Sequence, residues 1–164
     1  MLDVRSRRLS CACEPCGILF LHRGASSLRR VGRRAERLTG FQMTAAEWEA
    51  LHIPIGLAFF INNSVESRVL ALYPGPAGAT ESLLTLDTWR EIAARNPILN
   101  QMEPDVEALL VNRIGERGDY YLVSIDRCYE LVGLIRMHWR GLGGGEDAWN
   151  EIAAFFTRLE ANHA

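Results

Sequence analysis

Three cysteines fall within six residues, Cys11-Ala-Cys13-Glu-Pro-Cys16. Thiolates are soft ligands, and two at C-x-x-C spacing can fill neighbouring corners of a zinc tetrahedron from one backbone bend. Cys13 and Cys16 have that spacing, and Pro15 supplies the bend. Cys11 lies two residues earlier, on the same side of an extended strand. Together they make most of a structural zinc site of zinc-ribbon type. The set is one donor short. No second C-x-x-C follows; His22 is the nearest imidazole and would complete a Cys3His set, and a second chain is another source.

Two other chemistries compete for the same sulfurs. As a dithiol pair, Cys13 and Cys16 would catalyse thiol–disulfide exchange, which works best where a helix N-terminus lowers the thiol pKa. The run after Cys16, Gly17-Ile-Leu-Phe-Leu21, reads as strand, which favours metal over redox use. An iron–sulfur cluster needs four cysteines in a suitable run. The fourth, Cys128, sits far away on an apolar helix and reads as a small core residue. In a reducing compartment, clustered cysteines point to metal or redox roles rather than to disulfides.

The positive charges are all arginine, with no lysine in the chain. That excludes a Walker A phosphate loop and Schiff-base or pyridoxal phosphate catalysis, which need a lysine amine. Residues 1–40 hold nine arginines against Asp3, Glu14 and Glu36, while the remainder carries an excess of acids within an overall charge of −2. A basic front end can attract nucleic acid or an acidic protein, or it can pair with the protein's own acidic body. No apolar run approaches the roughly 20 residues that span a bilayer, and the apolar run near the N-terminus is too short for a signal peptide. The expected location is cytoplasmic.

The elements that must position these groups follow from pattern. Residues 1–22 read as strand, cysteine turn, strand, a partial zinc-ribbon-like module. Residues 23–40 form an Arg-, Gly- and Ser-rich connection, and residues 41–164 form an α+β globular domain. Thr44-Ala-Ala-Glu47 is a capping box opening a short helix. Gly56–Ile61 and Arg68–Tyr73 make a hairpin across Asn62-Asn63-Ser64. Pro74 to Thr80 is a loop. Asp87 opens a helix to about Arg95. Ala108–Asn112 and Tyr120–Ile125 make a second hairpin, although the first run could instead end a helix begun at Pro104. Asp126 opens a buried helix to about Trp139, and Glu146 begins the last one. Hairpins and helices together predict an α+β fold, with helices packed on one face of an antiparallel sheet.

Several stretches resemble a known family: Cys11-Ala-Cys-x-x-Cys-Gly-Ile-Leu-Phe20, Pro54-Ile-Gly-Leu-Ala-Phe-Phe60, Tyr73-Pro-x-Pro-Ala-Gly-Ala-Thr-Glu-Ser82, Glu103-Pro-Asp-Val-Glu-Ala-Leu-Leu-Val-Asn-Arg113 and Ile125-Asp-x-Cys-Tyr-x-Leu-Val-Gly-Leu-Ile-Arg136. It is an uncharacterised bacterial domain family whose genes are often found beside those of nickel–iron uptake hydrogenases. The resemblance covers nearly the whole chain. It implies an accessory role in hydrogenase assembly or function, with a hydrogenase subunit or maturation factor as the protein partner. It supplies no catalytic residue. It also implies an upstream C-x-x-C, ahead of the segment matching Cys11, so the expectation is either a half-site truncated here, with its missing donor upstream, or a degraded site.

Outside the cysteines, the most distinctive candidate binding surface is the loop with Pro74, Gly75, Pro76, Thr80 and Glu81, joined by a partner-facing edge at Trp139 and Arg140. The plain alternative for the loop is an approach to the next helix. Gly141-Leu-Gly-Gly-Gly145 follows a helix and reads as a helix stop, not a phosphate cradle. His138 reads as a half-buried core histidine, and His52 and His163 have no evident partner. No hydrolase, zincin or kinase signature occurs. The function expected from these residues is a non-catalytic, zinc-binding accessory protein. A thiol–disulfide redox protein and an arginine-driven nucleic-acid binder are the alternatives.

Overall fold

A computed structural model of the chain describes residues 1–21, 27–82, 85–115 and 118–161. Its centre is a run of apolar strands in which almost no position faces water. Strand β5 (Leu57–Asn63) pairs antiparallel with β6 (Arg68–Gly75) on one side and with β8 (Glu107–Asn112) on the other. Strand β9 (Asp119–Ser124) continues the sheet beside β8. Strands β4 (Ala35–Arg37) and β7 (Gly78–Glu81) close its edges, in the order β4-β9-β8-β5-β6-β7. A smaller sheet holds β1 (Leu2–Asp3) between β2 (Arg8–Leu9) and β3 (Leu28–Arg29).

Successive strand side chains point to opposite faces, and both faces of the large sheet are covered. Leu57, Phe59 and Ile61 pack with Leu110, Tyr121 and Val123 against helices α4 (Ile125–His138) and α5 (Glu146–Ala161). Ala58 and Phe60 pack with Leu109, Val111 and Leu122 on the other face. That second core includes Leu51, just after α2 (Ala45–Ala50), Ile92 of α3 (Leu86–Arg95), and Leu99 and Met102 around a 3-10 turn at Pro97–Gln101. The expected α+β class and antiparallel hairpins are present. The expectation of helices on one face is corrected: the sheet lies between two helical layers. The reason is visible in β5, whose apolar run does not alternate, as a strand covered on both faces requires.

Other local expectations fare unevenly. The Thr44 capping box is formed, with the Thr44 hydroxyl accepting from the Glu47 N–H and the Glu47 carboxylate accepting from the Thr44 N–H. Ala108–Asn112 is strand, not helix. Thr85, not Asp87, caps α3. The run after Cys16, expected as strand, is helix α1 (Glu14–Leu21). Pro74 to Thr80, expected as a loop, is the end of β6 turning into β7, with Pro74 opposite Ala79. Residues 23–40 contain β3 and β4, and Leu2 is buried in the core beneath α4 and α5. Among the described residues no helix is long and apolar enough to cross a membrane.

Candidate functional site

The cysteine segment leaves β2 and enters α1. Glu14 and Pro15 occupy the first turn, where an acidic side chain and a residue without an N–H are both favourable. The Gly17 N–H donates to the Cys13 carbonyl at 2.9 Å and closes that turn. Cys13 therefore stands immediately before the helix and Cys16 within its first turn. All three N-terminal cysteines are exposed, and Cys128 is buried.

This placement polarises the pair. The Cys16 backbone N–H, and then its thiol, donate to the Cys13 sulfur and hold Cys13 below the ordinary thiol pKa. Cys16 is pushed up in turn, because its thiol proton is held by Cys13 and a second negative charge there would be repelled. Cys128 is pushed up by burial and, second, by the Asp126 charge. Two sulfurs on one helical turn make a soft-metal half-site. Among the described residues, however, no three His, Cys, Asp or Glu side chains converge closely enough to hold a metal. Cys11 therefore does not complete a three-donor group with the pair, and His22 lies outside the described residues, as does His163. A closed tetrahedron would need donors beyond those described.

The other candidate residues are not gathered at the cysteines. Pro74 and Gly75 end β6, Pro76 is in the turn, and Thr80 and Glu81 are on β7, where the Glu81 carboxylate pairs with Arg68 at 2.6 Å. Trp139 and Arg140 follow α4. The Trp139 indole N–H donates to Gly141 O, its ring lies 5.7 Å from that of Trp149, and the Trp149 indole N–H donates to Gly143 O. Gly144 has φ +86°, and a Cβ there would come within 3.0 Å of the Trp139 ring. The Gly141–Gly145 segment is thus a turn held by two indoles, as a helix stop rather than a phosphate cradle.

Arg30 and Arg33 were not singled out by sequence. They form one wall of an open cleft of about 710 Å³ whose other wall carries Cys13 and Ile18. The density of arginine in Arg29-Arg-Val-Gly-Arg-Arg34 was the available signal.

The model of a family of unknown function, DUF5947, matches residues 1–163. The chain belongs to DUF5947. No curated protein and no solved structure matches it. For this member of DUF5947, thiol chemistry can be read out directly. With iodoacetamide under native conditions, Cys11, Cys13 and Cys16 are expected to label while Cys128 reacts only after unfolding. The pH–rate profile of Cys13 should lie below the ordinary thiol value of about 8.5, because its thiolate is the favoured form, and that of Cys16 above it. Native labelling of Cys128 at the rate of the exposed thiols would contradict its place in the core.

Proposed function

We propose that the protein is a non-catalytic accessory or assembly factor: its N-terminal thiols contribute half of a zinc site, and its α+β body recognises a protein partner. The observation that carries this is the pair Cys13 and Cys16, exposed at the N-terminus of α1, Cys13 just before the helix and Cys16 in its first turn. Helix α1 favours the Cys13 thiolate, and the thiolate is the form that ligates zinc. The remaining donors come from outside the described residues. The resemblance noted above suggests a nickel–iron hydrogenase subunit or maturation factor as the partner; the proposed location is the cytoplasm.

One observation favours a second reading, thiol–disulfide exchange. Cys13-x-x-Cys16 sits at a helix N-terminus with one thiol lowered and the other raised, which is the asymmetry an attacking and a resolving cysteine require. A single set of variants separates the two. On the metal reading, protein grown with zinc retains it, and Cys13→Ser or Cys16→Ser loses it. On the redox reading, the chain reduces a model disulfide with turnover, Cys13→Ser abolishes that activity, and Cys11→Ser leaves it intact. Wild-type protein with neither zinc nor turnover refutes both.

A further inference from the structure

The arginines of the main sheet have partners. Arg34 pairs with Glu36 and Glu107, Arg37 with Asp119 and Glu160, and Arg68 with Glu66 and Glu81. The cleft beside α1 differs. Arg30 reaches Glu14 only at 3.8 Å, with both side chains largely exposed, so this pair is weak. Arg33 is exposed, and no ion pair links it to a carboxylate of the described residues. Two guanidinium groups thus face one concavity with little neutralisation. On the opposite wall Ile18 is half exposed, and Leu19 next to it on α1 is 55% exposed. Weakly neutralised positive charge beside an exposed apolar turn is a combination that a monomer gains nothing by presenting to water.

We propose that this cleft docks a protein partner through a short acidic segment whose carboxylates are flanked by apolar side chains. Charge complementarity selects the acidic groups, since a guanidinium donates two parallel hydrogen bonds to a carboxylate. Ile18 and Val31 select the apolar neighbours. Nucleic acid is the weaker match: Ile18 and Val31 offer apolar surface that a phosphate backbone does not use, and none of the described lining residues is aromatic, so there is no ring for a base to stack on. The proposal rests on the partner-binding half of the function above and gives that partner a chemistry.

The test is fluorescence anisotropy of the full chain with a labelled peptide of alternating glutamate and leucine. Saturable binding is expected, weakening with added salt and falling about tenfold in the double variant Arg30→Ala/Arg33→Ala. Arg33→Gln alone should lose part of it. Arg90→Ala, which removes an exposed charge on α3, should lose none. A peptide with glutamine in place of glutamate that binds equally well overturns the proposal, as does equal loss in Arg90→Ala or tighter binding of an oligonucleotide of the same charge. Zinc content is measured on the same samples, so a chain that binds peptide without metal, or metal without peptide, shows which reading failed. The variants change exposed side chains, and thermal melts at the wild-type midpoint are the expected check that they fold.

Discussion

Phe60→Ala should lower the unfolding free energy by about 3–5 kcal/mol, the range for emptying a buried aromatic position. Phe60 is fully buried, stacks on Trp89 with ring centroids 5.4 Å apart, and packs in the core that includes Leu51, Ile92, Leu109 and Leu122. This core exists only if α3 and the segment after α2 cover the second face of the sheet. On a one-sided sheet Phe60 would face water, and its truncation would cost well under about 1 kcal/mol, as surface changes do. A urea melt of Phe60→Ala beside Phe59→Ala, which empties the opposite core, decides between these arrangements. Comparable losses in both variants mark a two-sided sheet; a loss in Phe59→Ala alone would remove the α3 layer.

The second large effect is expected at Asn96, a residue that ends α3 and is buried despite its polarity. Its side-chain oxygen accepts from the Gln42 N–H at 2.7 Å, and its amide donates to the carbonyls of Gln42 and Ile92 at 2.8 and 2.7 Å. The amide therefore ties the strand-to-helix approach before Thr44 to the end of α3, 54 residues later. Asn96→Ala leaves the Gln42 N–H and carbonyl without this partner, while the Ile92 carbonyl keeps the backbone N–H of residue 96, and should cost about 2–4 kcal/mol. Asn96→Asp is the sharper test. It keeps an acceptor for Gln42 but turns the second oxygen towards two carbonyl oxygens, so the folded state favours the protonated acid. Its pKa in the folded chain would lie above the unfolded value of about 3.9. Stability is then retained below that value and lost as pH rises through the folded pKa. Melting temperatures of Asn96→Asp that do not fall between pH 4 and pH 7, relative to wild type, would contradict the hydrogen-bond assignment.

The candidate site was half legible in the residues. Cysteine type and spacing were enough to mark Cys13 and Cys16, because C-x-x-C chemistry is local. The conformation after them was misjudged. Gly17-Ile-Leu-Phe-Leu21 is a short apolar run, and such runs do not distinguish strand from helix by periodicity. The deciding signal lay one turn earlier, in Glu14 and Pro15, which suit a helix start. That difference matters, because a helix N-terminus stabilises the Cys13 thiolate that both metal and redox chemistry use. Arg30 and Arg33 could not be assigned to a site from their positions in the chain, since the opposite wall of their cleft comes from α1.

What the sequence determined by itself is whatever adjacent residues settle between themselves: the capping box at Thr44, the pairing of β5 with β6, the final helix, and the α+β class. The tertiary structure decided everything that depends on what lies across the fold. It covered both faces of β5, turned Pro74 to Thr80 into an edge hairpin, and gave Asn96 its partner at Gln42. The physical reason is range. Turn and cap energies come from a few neighbouring dihedrals and hydrogen bonds, whereas burial of a face depends on segments far away in the chain, which local pattern does not specify.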